Sequence, residues 1–368
     1  MIRTATRGLA AALIVATLTV APTVSQATVG HRATIKAKPV KTGLNDPTGF
    51  TFAPSGAIWY LERATGEVHT LDPRTGKDHR VFTISGVNGD GERGALGIAL
   101  SPRWPTKKVV YVYVTRNGTG GHLQNQLVRF SVSGGTGHGL KVLLTSPASA
   151  DPYHNGGRIL FGPDRKLYVM IGDGHNSVNA QDRSNNYRGK ILRLDPDGRA
   201  AAGNPFGSRI WSYGHRNSFG FTFDPVTHRM WETENGPECT DEINLIVKGG
   251  NYGWGPKESC SLPKPGGTNN SGPTPRHGPK WFTASTIGIT GAAFCHGCGI
   301  GSLRGQLIFG DVNTASLRAI HLNAARTGFS SKARVIATGL NGVHSVEVSP
   351  TGHIYFSGPN GIYRLVSG

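Results

Sequence analysis

The chain has 368 residues, of which 37% are hydrophobic and 17% charged, and its formal net charge is +17 at pH 7. This balance supports a buried core, and the 53 glycines follow no strict three-residue period, which excludes a collagen-like chain and indicates many tight turns. The lysines and arginines are scattered and form no basic arm with interleaved aromatic residues, so nucleic acid is not expected as a partner. Attraction to anionic wall polymers or membrane surfaces stays open as an explanation of the charge.

The N-terminus has the pattern of a secretory signal peptide. Arg3 and Arg7 give a positive start, residues 9–20 are mostly apolar, and Ser25-Gln26-Ala27 offers a cleavage site between small residues. The apolar run is too short for a comfortable membrane span, and no longer run follows. We therefore expect residues 1–27 to be removed, residues 28–43 to lead into the folded part, and the mature protein to be exported, soluble and without a transmembrane segment.

A short phrase recurs six times: a hydrophobic residue, a proline or polar turn, and then an alternating strand. Its copies begin at Phe52, Leu100, Phe161, Phe223, Leu303 and Val348. Most copies are followed by another strand-like stretch, and long amphipathic helices are absent from the sequence pattern. This recurrence predicts an all-β fold, a six-bladed β-propeller over residues 44–368. The alternative, a set of β-sandwich domains, explains the strands but not their recurrence.

Four cysteines are present, namely Cys239, Cys260, Cys295 and Cys298. An even number in an exported chain favours disulfides. We predict the pairs Cys239–Cys260 and Cys295–Cys298, although three connectivities are open. A redox or half-zinc role for the Cys295–Cys298 motif is the alternative, but no second motif of this spacing exists to complete a four-cysteine zinc site.

The stretch at residues 210–254 combines two kinds of binding chemistry. Arg216 and Asn217 have the charge and amide groups that hold an anionic, carbonyl-rich ligand. The turn at Gly236-Pro237 and the nearby carboxylate of Glu242 have the oxygen atoms that hold a hard cation. In a propeller, loops from all blades converge on one face, so these residues can meet others that are distant in sequence.

Several motifs, taken together, carry a family resemblance. They are Gly89-Asp-Gly-Glu-Arg-Gly-Ala-Leu-Gly-Ile, His154-Asn-Gly-Gly-Arg, Ile171-Gly-Asp-Gly, Gly189-Lys-Ile-Leu-Arg-Leu-Asp-Pro-Asp-Gly, Asn204-Pro-Phe, Tyr213-Gly-His-Arg-Asn and Asp241-Glu-Ile-Asn-Leu-Ile. The chain resembles the soluble quinoprotein glucose/sorbosone dehydrogenase family from about Leu44 to the C-terminus, most strongly over residues 89–254. The resemblance implies a six-bladed propeller that uses pyrroloquinoline quinone (PQQ) and calcium.

The resemblance assigns His154 as the general base that removes a proton from a sugar hydroxyl while hydride leaves the same carbon. It places Asp173 beside this base as an orienting group, and Arg216 and Asn217 at the carbonyls of the quinone. Glu92 stands where the family often has a glutamine that contacts the cofactor, so its carboxylate would repel an anionic cofactor unless it is protonated or paired, for which Arg93 is a candidate. The competing interpretation of His154 is a loop histidine bonded to the backbone. The competing interpretation of Arg216 is an arginine paired with a carboxylate between blades.

For calcium, the resemblance implies backbone carbonyls at Gly236 and Pro237, the side chain of Glu242 and the carbonyl of Tyr252. The alternative is that Glu242 begins a strand with solvated acids.

The family binds the three carboxylates of PQQ with cationic side chains. In this sequence the corresponding positions are Asn313, Gly342 and His344, so those cations are lost or weakened. Each lost charge-assisted hydrogen bond costs on the order of 1.5–3 kcal/mol of affinity. Nearby basic residues, namely Arg304, Arg318 and Lys332, are candidate replacements.

The expected function is therefore that of an exported, PQQ-dependent oxidoreductase acting on an aldose or a related sugar hydroxyl with calcium assistance. Electrons would pass on to an acceptor that the sequence does not identify. One alternative is a non-catalytic, calcium-stabilised propeller that binds a glycan or a protein. Another is a calcium-dependent propeller hydrolase such as a lactonase, which needs side-chain oxygens around a metal on the axis.

Overall fold

Six antiparallel sheets of four strands make up residues 35–257 and 272–368, which are the residues that the computed structural model describes. Strand β1 (Ile35–Thr42) comes first in the chain. Blade 1 contains β2 (Phe50–Phe52), β3 (Ile58–Leu61), β4 (Glu67–Leu71) and β5 (Asp78–Thr83); blade 2 contains β6 (Ala95–Leu100), β7 (Val109–Asn117), β8 (Leu123–Ser133) and β9 (Thr136–Pro147). Blade 3 contains β10 (Ile159–Phe161), β11 (Leu167–Ile171), β12 (Lys190–Leu194) and β13 (Ile210–Tyr213).

The later blades have the same strand order. Blade 4 contains β14 (Asn217–Phe223), β15 (Met230–Asn235), β16 (Glu242–Ile246) and β17 (Trp281–Phe282); blade 5 contains β18 (Ile289–Phe294), β19 (Gln306–Asp311), β20 (Leu317–His321) and β21 (Arg334–Ala337). Blade 6 contains β22 (Ser345–Val348), β23 (Ile354–Gly358) and β24 (Gly361–Ser367), with β1 as its fourth strand. The helical segments in the described part are one turn each: α1 (Val178–Gln181) and two 3₁₀ turns, Thr119–Gly121 and Gly301–Leu303.

Each recurring phrase of the sequence is the connection between the first and second strands of a blade. The same turn bond closes several of them: Ala53 N–H donates to the carbonyl of Ala57, and Ser349 N–H to that of His353, both at 2.8 Å. The prediction of an all-β, six-bladed propeller is confirmed. The β-sandwich alternative is wrong, because first strands of successive blades contact one another around the ring, as β2 does with β6 and β22.

The N-terminal strand closes the ring. Strand β1 pairs antiparallel with β24 from Ile35 opposite Ser367 to Thr42 opposite Gly361. Part of the segment expected to lead into the propeller is therefore the outer strand of blade 6. This pairing joins the start and the end of the described chain, so opening the ring requires breaking a full strand ladder.

The hydrophobic core is divided into six clusters, and each lies between two neighbouring blades. The cluster between blades 2 and 3, for example, joins Tyr111 and Leu127 to Val169 and Leu192, all essentially inaccessible to solvent. Strands in such a sheet are covered on both faces, so the first seven residues of β7 and all five residues of β11 are buried. The apolar side chains pack between the blades, and polar side chains line the axis.

The cysteine prediction is confirmed where the structure describes it. Cys295 and Cys298 form a disulfide. Cys239 is disulfide-bonded, and its predicted partner Cys260 lies outside the described residues, as does the predicted signal peptide at 1–27. Among residues 35–257 and 272–368, no helix has the length and apolar character needed to span a bilayer.

Candidate active site

A cavity of about 520 Å³ opens where the loops of all six blades meet. Its lining comes from segments just before the first strand of a blade, such as Glu92, His154 and His344, and just after the second strand, such as Gly236 and Asn313. These two positions lie at the same edge of every antiparallel sheet. The topology therefore brings together residues that are up to about three hundred positions apart in the chain.

His154 and Asp173 form a buried pair at this cavity. His154 Nδ1 lies 2.8 Å from Asp173 Oδ1, and Asp173 is inaccessible to solvent. Because the carboxylate occupies Nδ1, Nε2 is the ring nitrogen that remains for a ligand in the cavity. This is the arrangement of a general base with an orienting carboxylate.

The loop that carries His154 is tightly constrained. His154 has φ +57°, in the left-handed region that a residue with a Cβ atom rarely adopts. Its carbonyl accepts a hydrogen bond from Gly174 N–H at 3.1 Å. A Cβ atom on Gly172 would lie 2.2 Å from that same carbonyl oxygen, so glycine is required there. The surrounding structure thus holds His154 in a strained position, which is common at functional sites.

Glu92 links three blades at the cavity. Its Oε2 accepts hydrogen bonds from His154 N–H at 2.8 Å and from Asn217 Nδ2 at 3.1 Å. Asn217 Oδ1 in turn accepts from Gly156 N–H at 3.2 Å. The partner suggested for Glu92, Arg93, instead donates to backbone carbonyls at residues 149–151. The Glu92 carboxylate therefore positions His154 and Asn217 relative to each other.

Arg216 lines the cavity beside this group. Its backbone N–H donates to Glu234 Oε1 at 2.7 Å, and its Nη1 donates to the carbonyl of Asn235 at 3.1 Å. Its guanidinium carbon lies 5.4 Å from the centre of the Trp254 ring. A fixed cation in this position stabilises negative charge that develops on a bound ligand.

The Gly236-Pro237 turn forms the neighbouring part of the wall. Asp241 holds it, because Oδ1 accepts Gly236 N–H at 3.1 Å while Oδ2 accepts the N–H groups of Ile287 and Ile289. A Cβ atom on Gly236 would lie 1.4 Å from the carbonyl oxygen of Thr240, so no other residue fits. Within the described residues, no hydrogen bond reaches the carbonyl oxygens of Gly236 and Pro237. These two oxygens are available to a hard cation.

The other predicted calcium ligands, Glu242 and Tyr252, are not among the residues that line the cavity. Glu242 Oε2 accepts a hydrogen bond from Asn244 at 3.2 Å, in a buried group of strands β15 and β16. The Tyr252 ring stacks on His215 at 4.7 Å between ring centres. The predicted ligands are therefore divided between the cavity wall and a buried cluster behind it.

That cluster is strongly acidic. His215, Glu232 and Glu234 have ligand atoms within 4.8 Å of one another, and all three are buried. Burial by itself lowers the pKa of His215, but the two carboxylates raise it to about 10. The imidazole is therefore charged at neutral pH and partly balances the acids.

The opposite side of the cavity contains two of the three positions at which the family has cations and this chain does not have lysine or arginine. Asn313 and His344 line the cavity, whereas Gly342 does not. His344 Nδ1 lies 3.2 Å from Asp46 Oδ1. Burial tends to raise the pKa of Asp46, but His344 and Arg63 outweigh it and hold the pKa below its usual value. The replacements suggested from the sequence, Arg304, Arg318 and Lys332, are all outside the cavity lining.

Sequence reasoning missed two arginines of the lining. Arg63 pairs with Asp46 and donates from Nη1 to the carbonyl of Gly89 at 2.7 Å. Arg158 crosses the axis from blade 3 to blade 6, where its guanidinium donates to Ser345 Oγ at 2.8 Å and Glu347 Oε1 at 3.1 Å. Arg158 is the last residue of the His154-Asn-Gly-Gly-Arg motif, which was a usable signal, whereas Arg63 lies in no motif.

A family model described as Glucose / Sorbosone dehydrogenase matches residues 44–364, which include every residue that lines the cavity. Over 250 residues the chain is 34% identical to the quinoprotein glucose dehydrogenase B of Acinetobacter calcoaceticus, an alignment that covers 59% of this chain and 52% of the relative. The match thus spans about half the length of that curated relative.

Solved structures extend the likeness over the whole propeller. The putative oxidoreductase (glucose dehydrogenase) from Thermus thermophilus superposes with a TM-score of 0.79 and 31% identity, covering 90% of this chain and 100% of that chain. The PQQ-bound form of the aldose sugar dehydrogenase from Streptomyces coelicolor superposes with a TM-score of 0.77 and 29% identity, covering 90% and 98%.

Proposed function

The chain belongs to the glucose / sorbosone dehydrogenase family, and we propose that it is an exported quinoprotein that oxidises a hydroxyl group of an aldose. The observation that carries this proposal is the meeting of His154, Arg216 and Asn217 at one cavity. A proton acceptor and a fixed cation on the same side of a pocket are what the oxidation of a hydroxyl by a bound quinone requires.

The residues present fit a carbonyl-rich, anionic cofactor at one end of the cavity. Arg216 supplies a guanidinium and Asn217 an amide, while the free carbonyls of Gly236 and Pro237 would hold a calcium ion against the same ligand. At the other end, His344, Asn313 and Arg63 line the wall. Their donors would meet carboxylates of PQQ more weakly than a set of unpaired arginines would. When bound, PQQ would supply the two-electron acceptor for hydride.

The chain's own residues would act on the substrate as follows. His154 Nε2 takes the proton of the sugar hydroxyl, while hydride leaves the carbon that bears this hydroxyl. Asp173 keeps the proton of the neutral imidazole on Nδ1 and stabilises the imidazolium that forms. Arg216 lowers the energy of negative charge that develops beside it, and the buried loops around His154 limit the access of water.

For calcium we propose the turn carbonyls of Gly236 and Pro237 as the ligands at the cavity. Glu242 and Tyr252 remain proposed ligands, and their position in the buried cluster supports a separate, structural role for the cation that they would bind. Oxygen atoms from backbone and carboxylate suit a hard cation in both places.

A second candidate is a non-catalytic propeller that binds a glycan or a protein. The absence of lysine and arginine at Asn313 and Gly342 favours it, since charge-assisted hydrogen bonds to cofactor carboxylates would be lost there.

The deciding experiment is calorimetric titration of the mature protein with PQQ in the presence and absence of calcium, followed by dye reduction over a panel of aldoses. We expect calcium-dependent binding, and turnover that is lost in His154→Ala but kept in His321→Ala, whose histidine is exposed on strand β20. Absence of binding at high micromolar concentrations of PQQ would refute the quinoprotein proposal and favour the non-catalytic propeller that binds a glycan or a protein.

A further inference from the structure

Trp254 ends the stretch at residues 210–254, and no role follows for it from the chemistry above. Its side chain is buried, with 3% of its surface exposed. Its backbone is held on both sides: its N–H donates to the carbonyl of Gly214 at 2.9 Å, and its carbonyl accepts from Gln181 Nε2 at 2.7 Å. The indole ring therefore has a fixed starting point on the chain.

The polar edge of this ring contacts the carboxylate behind the base. Trp254 Nε1–H donates to Asp173 Oδ2 at 2.7 Å. The other oxygen, Oδ1, contacts His154 Nδ1 and also accepts the backbone N–H of His175, both at 2.8 Å. A carboxylate bonded through one oxygen can rotate about its χ2 torsion, whereas one held at both oxygens has a single orientation. The indole N–H, together with the backbone N–H of His175, thus holds Oδ1 directed at the imidazole.

The face of the same ring contacts the second catalytic element. The guanidinium carbon of Arg216 lies 5.4 Å from the ring centre, within the range of a cation–π contact. The backbone completes the connection, because Asp173 N–H donates to the carbonyl of Arg216 at 2.7 Å. One side chain therefore touches both the partner of the base and the fixed cation.

We propose that Trp254 is a positioning residue that aligns His154 and Arg216 relative to each other. Its N–H keeps Asp173 directed at Nδ1 of His154, so that the neutral imidazole holds its proton on Nδ1 and presents Nε2 to the cavity. Its ring face holds the guanidinium plane. The catalytic meaning of this inference rests on the proposed function, but the geometric part does not.

A simpler interpretation is that Trp254 only fills space. The chain offers a matched control in Trp231, which is inaccessible to solvent and whose Nε1 has no hydrogen-bond partner among the described residues. Trp231→Phe removes the same atoms from a buried site without breaking a hydrogen bond to the catalytic group. Trp254→Phe removes the N–H but keeps an aromatic face under Arg216.

The first readout needs neither cofactor nor turnover. In the protein without PQQ, the imidazole nitrogen chemical shifts of His154 report which nitrogen carries the proton. We expect a single Nδ1–H tautomer in the wild type and in Trp231→Phe, and a mixture of tautomers in Trp254→Phe. An unchanged tautomer in Trp254→Phe overturns the inference.

The second readout is kinetic. We expect kcat for an aldose to fall on the order of tenfold in Trp254→Phe, the lower end of the roughly 10–100-fold loss that follows removal of a group supporting a metal-bound histidine, with KM changed less than kcat. Equal kcat values in Trp254→Phe and Trp231→Phe would also overturn the inference. If the wild type oxidises no aldose, the proposed function fails while the tautomer comparison remains decisive.

A folding defect in Trp254→Phe is addressed with a closer analogue. Incorporating β-(3-benzothienyl)alanine at position 254 keeps the ring shape and replaces the N–H by sulfur. The same tautomer mixture is expected in this protein. A single Nδ1–H tautomer in a folded benzothienyl protein would contradict the proposed role of the N–H.

Discussion

The two sides of the cavity are built differently. On the side formed by blades 2–4, which we call the blade 2–4 wall, Glu92, His154 and Asn217 are joined by hydrogen bonds of 2.8–3.1 Å. On the side formed by blades 5, 6 and 1, the blade 5–1 wall, His344 meets Asp46, while the side chain of Asn313 makes no hydrogen bond within the described part of the chain.

Under the proposed function, this difference assigns the reaction to one wall and the affinity for the cofactor to the other. Groups that act on a transition state must be aligned before the substrate arrives, since reorganising them during the reaction costs energy. The blade 2–4 wall meets that condition through bonds to buried partners. Groups on the blade 5–1 wall would contribute mainly to holding a cofactor, and there a weaker or rearranged set of donors changes affinity without abolishing the reaction. Substitutions on each wall test that division.

The largest effect is expected for Asp173→Asn on the blade 2–4 wall. An amide nitrogen opposite His154 Nδ1 would favour the wrong tautomer, so we expect kcat to fall about 10⁴-fold, as the equivalent change does in a catalytic triad. Steady-state dye reduction measures this. The control is Asp197→Asn, because Asp197 is exposed on a turn. A loss of less than tenfold in Asp173→Asn would contradict the role assigned to the dyad.

A smaller loss is expected for Arg216→Met. Removal of one fixed charge-stabilising group costs about 10²-fold in kcat, because the substrate still binds and His154 still accepts its proton. Arg199→Met is the control, since the side chain of Arg199 is 85% exposed. If KM rises while kcat is kept, Arg216 serves in binding alone, and the proposed division between the walls is wrong.

A substitution on the blade 5–1 wall is expected to increase the affinity for PQQ. His344→Arg places a permanent cation at the cavity, and one added charge-assisted hydrogen bond would tighten PQQ binding about tenfold. His321→Arg adds the same charge at an exposed position on strand β20 and controls for net charge. Calorimetric affinities decide the comparison, and equal changes in the two variants would show that local geometry at His344 does not matter.

The fold was predictable where the sequence repeats a strand-turn-strand phrase. All six phrases fall between the first and second strands of a blade, which are buried and strongly patterned. The outer strands were harder to predict. Strand β17 is only Trp281–Phe282, and β1 was part of an expected lead-in segment, because exposed edge strands carry little hydrophobic periodicity.

The site was predictable where a motif places a chemical group in a loop. His154, Arg216 and Asn217 were found in this way, and all three line the cavity. Trp254 was not assigned a role, because its bond to Asp173 joins residues 81 positions apart. The position of Glu242 and Tyr252 away from the cavity was missed for a similar reason: strand pairing, and not sequence spacing, determines which face a residue occupies.

The smallest expected effect is on the free energy of unfolding, and it concerns Lys190, which supports the blade 2–4 wall. Lys190 is inaccessible to solvent, and its Nζ donates to the carbonyls of Asn179 and Arg188, each at 2.7 Å. These contacts hold the loop that follows Asp173. Burial lowers the pKa of Lys190 to about 7, whereas an unfolded lysine titrates near 10.4. Between these values the unfolded chain binds more protons than the folded chain, so the free energy of unfolding rises with pH.

Urea denaturation measures this dependence. Comparison with Lys190→Met isolates the contribution of Lys190, since both proteins share every other titrating group. From pH 7.5 to 8.5 we expect the wild type to gain about 1 kcal/mol relative to the variant. Parallel pH profiles would mean that the two carbonyls keep the ammonium charged in the folded protein. The blade 2–4 wall would then rest on a fixed cation whose support does not change over this pH range.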